Sequence, residues 1–429
     1  MFTCLTLWMR LVQTFRKLLT LDEARQVIQK HASLKPLGAE VIPLLDACGR
    51  VLAEDVVSAL DIPPFSRSTV DGYVVKAEDT FGAEEDKPVK LTVCGMVNVG
   101  EPPLVRIKSM MAAEIVTGAP MPDGADAVVM LEDAERKDGK LYVHSAVVKD
   151  ENVMKAGSDI QKGMTVLTKG QLLGSREIGA LAAIGLATVG VYALPRVAVF
   201  STGAEVTEPG KKLSEGKIYD INAYSLSAAV LESGGTPLYL GVFSDDLPAI
   251  QEALRRALAL ADLVVTSGGV SVGPKDLMPK ALDLLGKPGV IVCGVAIKPG
   301  KPVTVASVSG KLVFSLPGHP ASALLVFHLL VRPIIHGMTS RSAERVVEVA
   351  ALAGMRMFSA KGRRTFVMVK LSHGKSGRLV AVPVASGLSG AITTLAKADG
   401  FVEIPENQQF IDEGEQVSVR LFGNARLLE

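Results

Sequence analysis

Three glycine-containing turns between Arg196 and His336 carry residues suited to bind a phosphorylated ligand. A short apolar strand is predicted before each turn, and the turns read Ser201-Thr-Gly-Ala-Glu205, Thr266-Ser-Gly-Gly-Val-Ser-Val-Gly273 and Ser315-Leu-Pro-Gly-His-Pro-Ala-Ser322. Glycine lets the backbone approach a phosphate closely, and peptide N–H groups, hydroxyls and a helix N-terminus bind its charge. Ligands of open parallel sheets bind beyond the carboxyl ends of the strands, so we expect the turns to converge on one crevice. None of them matches the standard NTPase or dinucleotide loops.

A lysine pair lies between the second and third turns, in Ile297-Lys-Pro-Gly-Lys-Pro302. The prolines and glycine keep this segment non-helical, so Lys298 and Lys301 are held on a stiff chain. Two ammonium groups with little freedom to lose suit an oxyanion. The alternative is a solvated turn with two surface lysines, and we favour the anion site.

Carboxylates cluster in sequence around the same turns: Glu205, Asp220, Asp245, Asp246 and Asp276. Any one of them is ordinarily a solvent-facing surface residue. A pocket that combines phosphate donors with several carboxylates nevertheless indicates a bridging Mg²⁺, which prefers oxygen ligands and retains substrate phosphates in its shell.

Alternating strands and helices from Arg196 to His336 predict a parallel α/β sheet. Before this region, a capping box at Thr20 and Glu23 and an apolar face predict a helix over Leu21–His31. Short β-rich runs between Val89 and Val148 predict an inserted β-domain, and a second β-rich region follows Glu344. The fold class expected is therefore a multi-domain α/β protein.

The sequence also predicts where individual helices and strands lie. Helices are expected at Ser175–Leu186, Asn222–Ser233 and Asp246–Leu260. Strands are expected at Val89–Val97, Ala127–Glu132, Leu141–Val148, Arg196–Phe200, Asp262–Thr266, Val303–Ala306, Leu312–Ser315, Arg364–Leu371, Leu379–Pro383, Gly400–Ile404 and Gln416–Leu421.

The composition argues against several classes of protein. Lys and Arg total 46 against 45 Asp and Glu, so the formal net charge of +1 gives no global footprint for nucleic acid. Aromatic residues make up 5% of the chain, too few to favour a platform that stacks bases. The four cysteines form no C-x-x-C and the six histidines no H-E-x-x-H. Neither a disulfide framework nor a zinc site is indicated, and a reducing cytoplasm fits.

Two apolar segments have the composition of membrane spans. Ile178–Leu194 approaches the required length of ~18–20 residues but is interrupted by glycines, which favours a helix followed by a strand. Ala323–Ile335 is too short to span and contains His328 and Arg332, so we predict a buried core helix and no membrane span. The first residues lack the features of a signal peptide. Met9 is a plausible alternative start, and the sequence leaves that choice open.

Six motifs in one order resemble those of the molybdopterin molybdenumtransferase family, the molybdenum-insertion enzymes related to the E domain of gephyrin. They are Pro63-Pro-Phe-Ser-Arg-Ser-Thr-Val-Asp-Gly-Tyr73, Thr117-Gly-Ala-Pro-Met-Pro-Asp-Gly-Ala-Asp126, Ser201–Glu205, Ser267–Gly273, Ile297–Pro302 and Leu316–Ser322. The resemblance runs from about Leu21 to near the C-terminus. Each motif alone is weak, and the ordered set is specific.

The resemblance implies an elongated subunit of four parts and a cytoplasmic homodimer. The parts would be an N-terminal or linker domain (16–60 plus 151–195), an inserted β-domain (61–150), a molybdopterin-binding α/β domain (196–340) and a C-terminal β-domain (345–429). The implied activity inserts molybdenum from molybdate into adenylylated molybdopterin and releases AMP, with Mg²⁺ assistance. Transient contact with other proteins of molybdenum-cofactor synthesis is implied as well, and the choice between molybdenum and tungsten stays open.

The resemblance also assigns site residues, position by position. The functional carboxylates would be Asp71, Glu205, Asp245 and Asp276, of which Glu205, Asp245 and Asp276 would bind the metal and Asp71 would enter from the other subunit. The substrate-binding residues would be Thr117, Asp159, Ser267, Gly268, Gly269, Ser271, Gly273, Lys298, Lys301, Pro317, Gly318, Pro320, Arg363 and Ser389. Of these, the two lysines, Arg363 and Ser389 would contact molybdate.

Two alternatives remain at this point. A non-catalytic scaffold could share the architecture, but the chain has no fused adenylyltransferase domain or long linker. A molybdopterin adenylyltransferase shares the α/β domain, but it is normally a small single-domain protein. The flanking β-domains therefore favour the insertion enzyme.

Overall fold

The computed structural model of the chain describes residues 18–268, 277–341, 348–374, 377–384 and 392–422. These residues form two compact units. One comprises the described residues up to Glu40, Gly49–Val51 and the chain from Val191 onward, and the other comprises Val41–Cys48 and Leu52–Gly190. The four-part division expected from the sequence stays a prediction.

The α-helices are α1 (Leu21–His31), α2 (Ser175–Ala183), α3 (Asn222–Glu232), α4 (Leu247–Leu260), α5 (Met278–Leu285), α6 (Pro320–Met338) and α7 (Ile392–Lys397). Short 3-10 helices lie at Leu44–Ala47, Ala77–Thr80 and Leu131–Asp133. The strands up to the α/β region are β1 (Ala39–Pro43), β2 (Val56–Val57), β3 (Arg67–Ser68), β4 (Gly72–Val75), β5 (Val89–Val97), β6 (Met111–Ile115), β7 (Ala127–Met130), β8 (Ala134–Lys137), β9 (Lys140–Val143), β10 (Val153–Met154), β11 (Thr165–Leu167) and β12 (Thr188–Tyr192). Those that follow are β13 (Arg196–Thr202), β14 (Val206–Thr207), β15 (Ile218–Tyr219), β16 (Thr236–Phe243), β17 (Leu263–Ser267), β18 (Pro288–Cys293), β19 (Ile297–Lys298), β20 (Thr304–Val308), β21 (Lys311–Leu316), β22 (Glu348–Ala353), β23 (Met357–Phe358), β24 (Arg364–His373), β25 (Leu379–Pro383), β26 (Gly400–Ile404), β27 (Phe410–Ile411) and β28 (Gln416–Leu421).

A six-stranded sheet in the order β16-β13-β17-β21-β20-β18 forms the centre of the α/β region. The first four strands are parallel, as expected, whereas β20 and β18 run antiparallel to their neighbours. The antiparallel part arises because β20 and β21 are joined by Ser309 and Gly310, which have φ angles of 50° and 79°. Positive φ at both positions of a two-residue loop is the geometry of a tight hairpin, which reverses the chain. The sheet is therefore mixed.

Helices cover both faces of this sheet. Residues of α1, α3 and α6 are buried in one apolar cluster with strand residues such as Val199 and Phe314. Residues of α4 and α5 are buried in a second cluster, with Phe200 and Val313 from the same strands. Because alternate strand residues face opposite sides of a sheet, the two clusters identify the two layers.

Helix α1 has the bounds and the capping box predicted from the sequence. The Glu23 backbone N–H donates to Thr20 Oγ1 at 3.2 Å, and the Thr20 backbone N–H donates to Glu23 Oε2 at 2.8 Å. Leu21 and Ile28 are buried against the α/β sheet, so this helix belongs to the unit that contains the sheet.

Helix α6 is a buried core helix, as expected, and it extends beyond the apolar segment Ala323–Ile335 at both ends. It runs from Pro320 to Met338, and its central turn, Phe327–Val331, is a π-helix. Among the described residues, it is the helix whose length and composition would suffice to cross a membrane, and 72% of its apolar window is buried inside the protein. Burial against the sheet explains its apolar character.

The C-terminal β-region contains a closed ring of strands in the order β24-β25-β22-β28-β26, with β26 pairing back to β24. Strand β19, from the α/β region, adds to β24 in parallel, with Ile297 opposite Arg364 and Lys298 opposite Thr365. Closure of the ring pairs most strand edges, and β19 pairs with the start of β24.

The other unit contains a six-stranded sheet in the order β7-β4-β6-β5-β9-β8. The β-strands predicted between Val89 and Val148 are confirmed as a group. The strand predicted at Ala127–Glu132 ends at Met130, and the one predicted at Leu141–Val148 occupies Lys140–Val143. In the same unit, α2 ends at Ala183, and Gly185, with a φ of 82°, follows it.

Candidate functional site

The three predicted turns follow neighbouring strands of the α/β sheet. Strands β13, β17 and β21 lie side by side and parallel, with Ser201 opposite Ser267 and Ser267 opposite Leu316. Their carboxyl ends therefore meet at one edge, where the turns begin. Gly268 has a φ of 92°, and a Cβ on it would lie 2.1 Å from the carbonyl oxygen of Thr202. The second turn consequently packs directly on the backbone at the end of β13.

Asn222, at the start of α3, joins the second and third turns. Its Nδ2 donates to Ser267 Oγ at 2.8 Å and to the carbonyl oxygen of Gly318 at 2.7 Å, and Ser267 Oγ is 3.3 Å from the Pro317 carbonyl oxygen. Pro317 and Pro320 are buried, whereas Gly318 is exposed. No local sequence motif marks Asn222, because both of its side-chain contacts are with residues distant along the chain.

Two of the five clustered carboxylates have capping roles. Buried Asp220 accepts hydrogen bonds from Ser201 Oγ at 2.8 Å and from the Ala223 backbone N–H at 3.0 Å. Asp246 caps α4 by accepting from the Ala249 backbone N–H at 2.9 Å, and it also contacts Ser244 Oγ. These bonds, with that from Ser244 the largest, hold the pKa of Asp246 below its usual value. Neither carboxylate needs a ligand to complete its bonding.

The carboxylates of Glu205 and Asp245 are exposed beside the crevice. They follow β13 and β16, which are neighbouring strands, and the Gly203 N–H donates to the Phe243 carbonyl oxygen at 3.3 Å just before them. Among the described residues, no group of three or more His, Cys, Asp or Glu side chains could hold a metal ion. Mg²⁺, however, usually takes one or two protein carboxylates and completes its shell with water and substrate phosphates. Glu205 and Asp245 fit that requirement by their chemistry.

Tyr239 lies beside Asp220, with its hydroxyl 3.5 Å from Oδ2. Burial, followed by the Asp220 charge, raises the pKa of Tyr239 above its usual value. The phenol is therefore a neutral hydrogen-bonding group at physiological pH.

The segment with the two lysines lies between the third turn and the C-terminal ring. Gly300, in the middle of it, packs so closely on α6 that a Cβ there would lie 2.5 Å from Val326 Cγ2. Lys298 lies on β19 beside β24 and is exposed, and Lys301 is half-buried. Within the described part of the chain, neither ammonium group has an ion pair. Both charges are therefore available to an anion.

Arg363 precedes β24, the strand that pairs with Lys298, and its side chain is half-buried. Its neighbour Arg364 differs, because that guanidinium is neutralised by Asp22, Glu403 and Glu406 at 2.9, 3.4 and 3.0 Å. Of the two arginines, Arg363 is the better candidate for an anion ligand.

In the other unit, the two remaining sequence motifs lie side by side. The Asp71 carboxylate accepts hydrogen bonds from the Thr117 backbone N–H at 2.6 Å and from Thr117 Oγ1 at 2.9 Å. Ser68 accepts from the Gly118 backbone and donates to the Ala119 backbone. The bonds from Thr117, the backbone one first, lower the pKa of Asp71. Asp159 is exposed in the same unit, and its backbone N–H donates to the Ile62 carbonyl oxygen at 3.0 Å.

Five predicted site residues lie outside the described residues: Gly269, Ser271, Gly273, Asp276 and Ser389. Their assigned roles stay predictions.

These features define a multi-domain α/β protein with an additional β-ring. Three family models match the chain: "MoeA N-terminal region (domain I and II)" over residues 19–185, "Probable molybdopterin binding domain" over 198–337, and "MoeA C-terminal region (domain IV)" over 350–422. The molybdopterin molybdenumtransferase of Bacillus subtilis is 35% identical over 89% of each chain. Molybdopterin molybdenumtransferase 2 of Mycobacterium tuberculosis is 33% identical over 93% of this chain and 98% of its own.

A solved structure agrees with these relatives. The crystal structure of a molybdopterin biosynthesis MoeA protein from Pyrococcus horikoshii has a TM-score of 0.82 and 42% identity, and it covers 94% of this chain and 99% of its own. The chain belongs to the molybdopterin molybdenumtransferase family, the family that its sequence motifs resemble. It is an enzyme of the transferase class with a role in molybdenum-cofactor biosynthesis.

Proposed function

We propose that this enzyme inserts molybdenum from molybdate into the dithiolene of adenylylated molybdopterin and releases AMP. The observation that carries the proposal is the convergence of three glycine-containing strand ends beside a segment whose two lysines have no ion pair among the described residues. Such a crevice offers separate places for a phosphorylated substrate and for a small oxyanion.

The phosphorylated substrate would bind at the second and third turns. Residues Ser267–Gly273 and Pro317–Pro320 would hold the region between pterin and phosphate, because peptide N–H groups and a helix N-terminus favour anions. The packing of Gly268 on Thr202 fixes the start of the second turn, which lowers the entropy lost on binding.

Molybdate would bind at Lys298, Lys301 and Arg363, with Ser389 as a further contact. Molybdate is a dianion, and removing it from water costs hydration free energy. Cationic side chains and N–H donors of the protein must compensate for that loss. Lys298 and Lys301 supply two charges from a segment that Gly300 holds against α6.

Glu205 and Asp245, with Asp276, would hold Mg²⁺ against the substrate phosphates. Bound Mg²⁺ would neutralise charge that develops on the departing phosphate. The protein's own contribution there is to place exposed carboxylates after β13 and β16, close to the turns that bind phosphate.

We further propose a cytoplasmic homodimer of four-part subunits, in which Asp71, Thr117 and Asp159 of one subunit complete the site of the other. The supporting observation is that Asp71 and Thr117 form one exposed hydrogen-bonded pair from two distant motifs. Such a dimer would pass its product on through transient contact with other proteins of the same biosynthesis.

Incubating the purified protein with adenylylated molybdopterin, molybdate and Mg²⁺ tests the proposal. We expect AMP release that depends on molybdate, and loss of that release in Lys301→Ala with the fold retained. ATP consumption with plain molybdopterin would instead indicate an adenylyltransferase. Absence of both activities would indicate a scaffold.

A further inference from the structure

Asn222 uses both N–H bonds of its side-chain amide to connect two turns of the crevice. Nδ2 donates to Ser267 Oγ, at the end of β17, and to the Gly318 carbonyl oxygen, after β21. A backbone carbonyl can only accept, so the amide must face it with nitrogen and cannot be flipped. The side chain therefore sets the separation of two segments that meet the substrate.

The contact also fixes the hydroxyl group of Ser267. This side chain is 2% exposed, accepts from Asn222 and lies within hydrogen-bonding distance of the Pro317 carbonyl oxygen. Because a carbonyl takes only donors, the hydroxyl hydrogen points to Pro317. Without the amide of Asn222, the Ser267 hydroxyl loses the donor that it accepts from and the Gly318 carbonyl loses its hydrogen bond, while the bond from Ser267 Oγ to Pro317 remains.

Helix α3 does not need Asn222 at its N-terminus. Asp220 already accepts from the Ala223 backbone N–H, which is the bond that a helix cap makes. The Oδ1 atom of Asn222 is buried and has no hydrogen-bond partner within the described residues. An unsatisfied buried acceptor lowers stability, so this side chain is a poor choice for a purely structural role.

We propose that Asn222 is a positioning residue for the pterin substrate. It holds Ser267 and the Gly318 backbone in the arrangement that binds adenylylated molybdopterin. The inference rests on the proposed function, because that function supplies the substrate.

Steady-state kinetics of Asn222→Ala test this role. The substitution removes two hydrogen bonds, one part-buried and one exposed. Because the net contribution of such bonds is modest, we expect the KM for adenylylated molybdopterin to rise about tenfold. The KM for molybdate should stay unchanged, which a general loss of structure would not allow. Ser225→Ala is the matched control, because Ser225 Oγ bonds only the Asn222 backbone carbonyl in the first turn of the same helix.

Asn222→Asp separates positioning from folding. It keeps the shape of the side chain but cannot donate to the Gly318 carbonyl, so the KM for the pterin substrate should rise while the KM for molybdate stays unchanged. The double variant Asn222→Ala with Ser267→Ala should be less impaired than the product of the two single effects, since coupled residues are not additive.

A KM for adenylylated molybdopterin equal to that of the wild type in both Asn222→Ala and Asn222→Asp would overturn the inference. So would independent effects of Asn222→Ala and Ser267→Ala that simply multiply in the double variant. Either result would leave the proposed function intact. A wild-type enzyme that neither binds adenylylated molybdopterin nor releases AMP would overturn the proposed function and the inference with it.

Discussion

Gly268 and Thr202 approach each other so closely that no side chain fits between them. A Cβ on Gly268 would lie 2.1 Å from the Thr202 carbonyl oxygen, and the glycine has a φ of 92°, which other residues rarely adopt. Backbone packing therefore places the start of the second turn, at Gly268.

Gly268→Ala should destabilise the protein by about 2–3 kcal/mol, because the backbone must move and the residue is strained. Denaturant unfolding would measure the change. The control is Gly310→Ala, at another positive φ but with no atom within 4 Å of the added carbon. Equal stability losses in the two variants would mean that backbone strain alone matters and that the packing on Thr202 does not.

Gly318, unlike Gly268, has room for a side chain. It faces open space, with no atom within 4 Å of an added Cβ, and its backbone is not left-handed. Gly318→Val should therefore leave the free energy of unfolding within about 0.5 kcal/mol of the wild type. Binding of the phosphorylated substrate should fall by at least about tenfold, since the new side chain occupies the crevice. Calorimetric titration would measure this, and unchanged affinity would place the substrate elsewhere.

The sequence patterns predicted the local parts of this arrangement and missed the long-range ones. The start of α1 follows from a capping box whose two residues, Thr20 and Glu23, are three positions apart. The strand ends at Thr202, Ser267 and Leu316 were predicted to within two residues, because an apolar run stops at a glycine turn. The pairing of β19 with β24 depends on residues far apart in sequence, and no local pattern encodes it.

The carboxylates show the same limit within the site. Asp220, Asp245 and Asp246 are equivalent as residue types, and all three were candidates. The structure assigns Asp220 and Asp246 to capping and leaves Asp245 exposed. Asn222 was missed because its contacts, Ser267 and Gly318, are 45 and 96 positions away.

Arg25 replaces a backbone donor that proline removes from α6. In a regular helix the carbonyl of Leu329 would accept from residue 333, which is Pro333 and has no N–H. Nε and NH2 of Arg25 each donate to that carbonyl at 3.4 Å. Burial is the main reason that the pKa of Arg25 is lowered, and the group remains charged.

Arg25→Met should lower the free energy of unfolding by about 1–3 kcal/mol, because it leaves a buried carbonyl without a donor. The loss should shrink when Pro333→Ala is added, since alanine supplies the missing N–H. Thermal unfolding of the two single variants and the double variant measures the coupling free energy between Arg25 and Pro333. Full additivity would show that the arginine and the proline act independently.

The hydrogen bonds from Thr117 to Asp71 imply that the stability of the protein depends on pH. The folded pKa of Asp71 is below its ordinary value of 3.8, owing to the Thr117 backbone and hydroxyl donors. Its contribution to stability is therefore present above pH ~4 and is lost as the pH falls through the lowered pKa. Thr117→Val should move the pKa of Asp71 part of the way back, because the backbone donor remains. Carboxyl-carbon NMR titration would detect this, and an unmoved pKa would show that the hydroxyl bond is absent in solution.

The lysine segment makes the sharpest prediction about binding. Lys298→Gln and Lys301→Gln each remove one positive charge and keep most of the side chain. Each should weaken molybdate binding by about ten- to a hundredfold, the usual range for a hydrogen-bonded ionic contact of 1.5–3 kcal/mol. Calorimetry with molybdate would measure the affinity. Lys280→Gln, an exposed lysine on α5, is the control for net charge. If all three variants bind molybdate equally, the anion is attracted by overall charge, and Lys298 and Lys301 do not form its site.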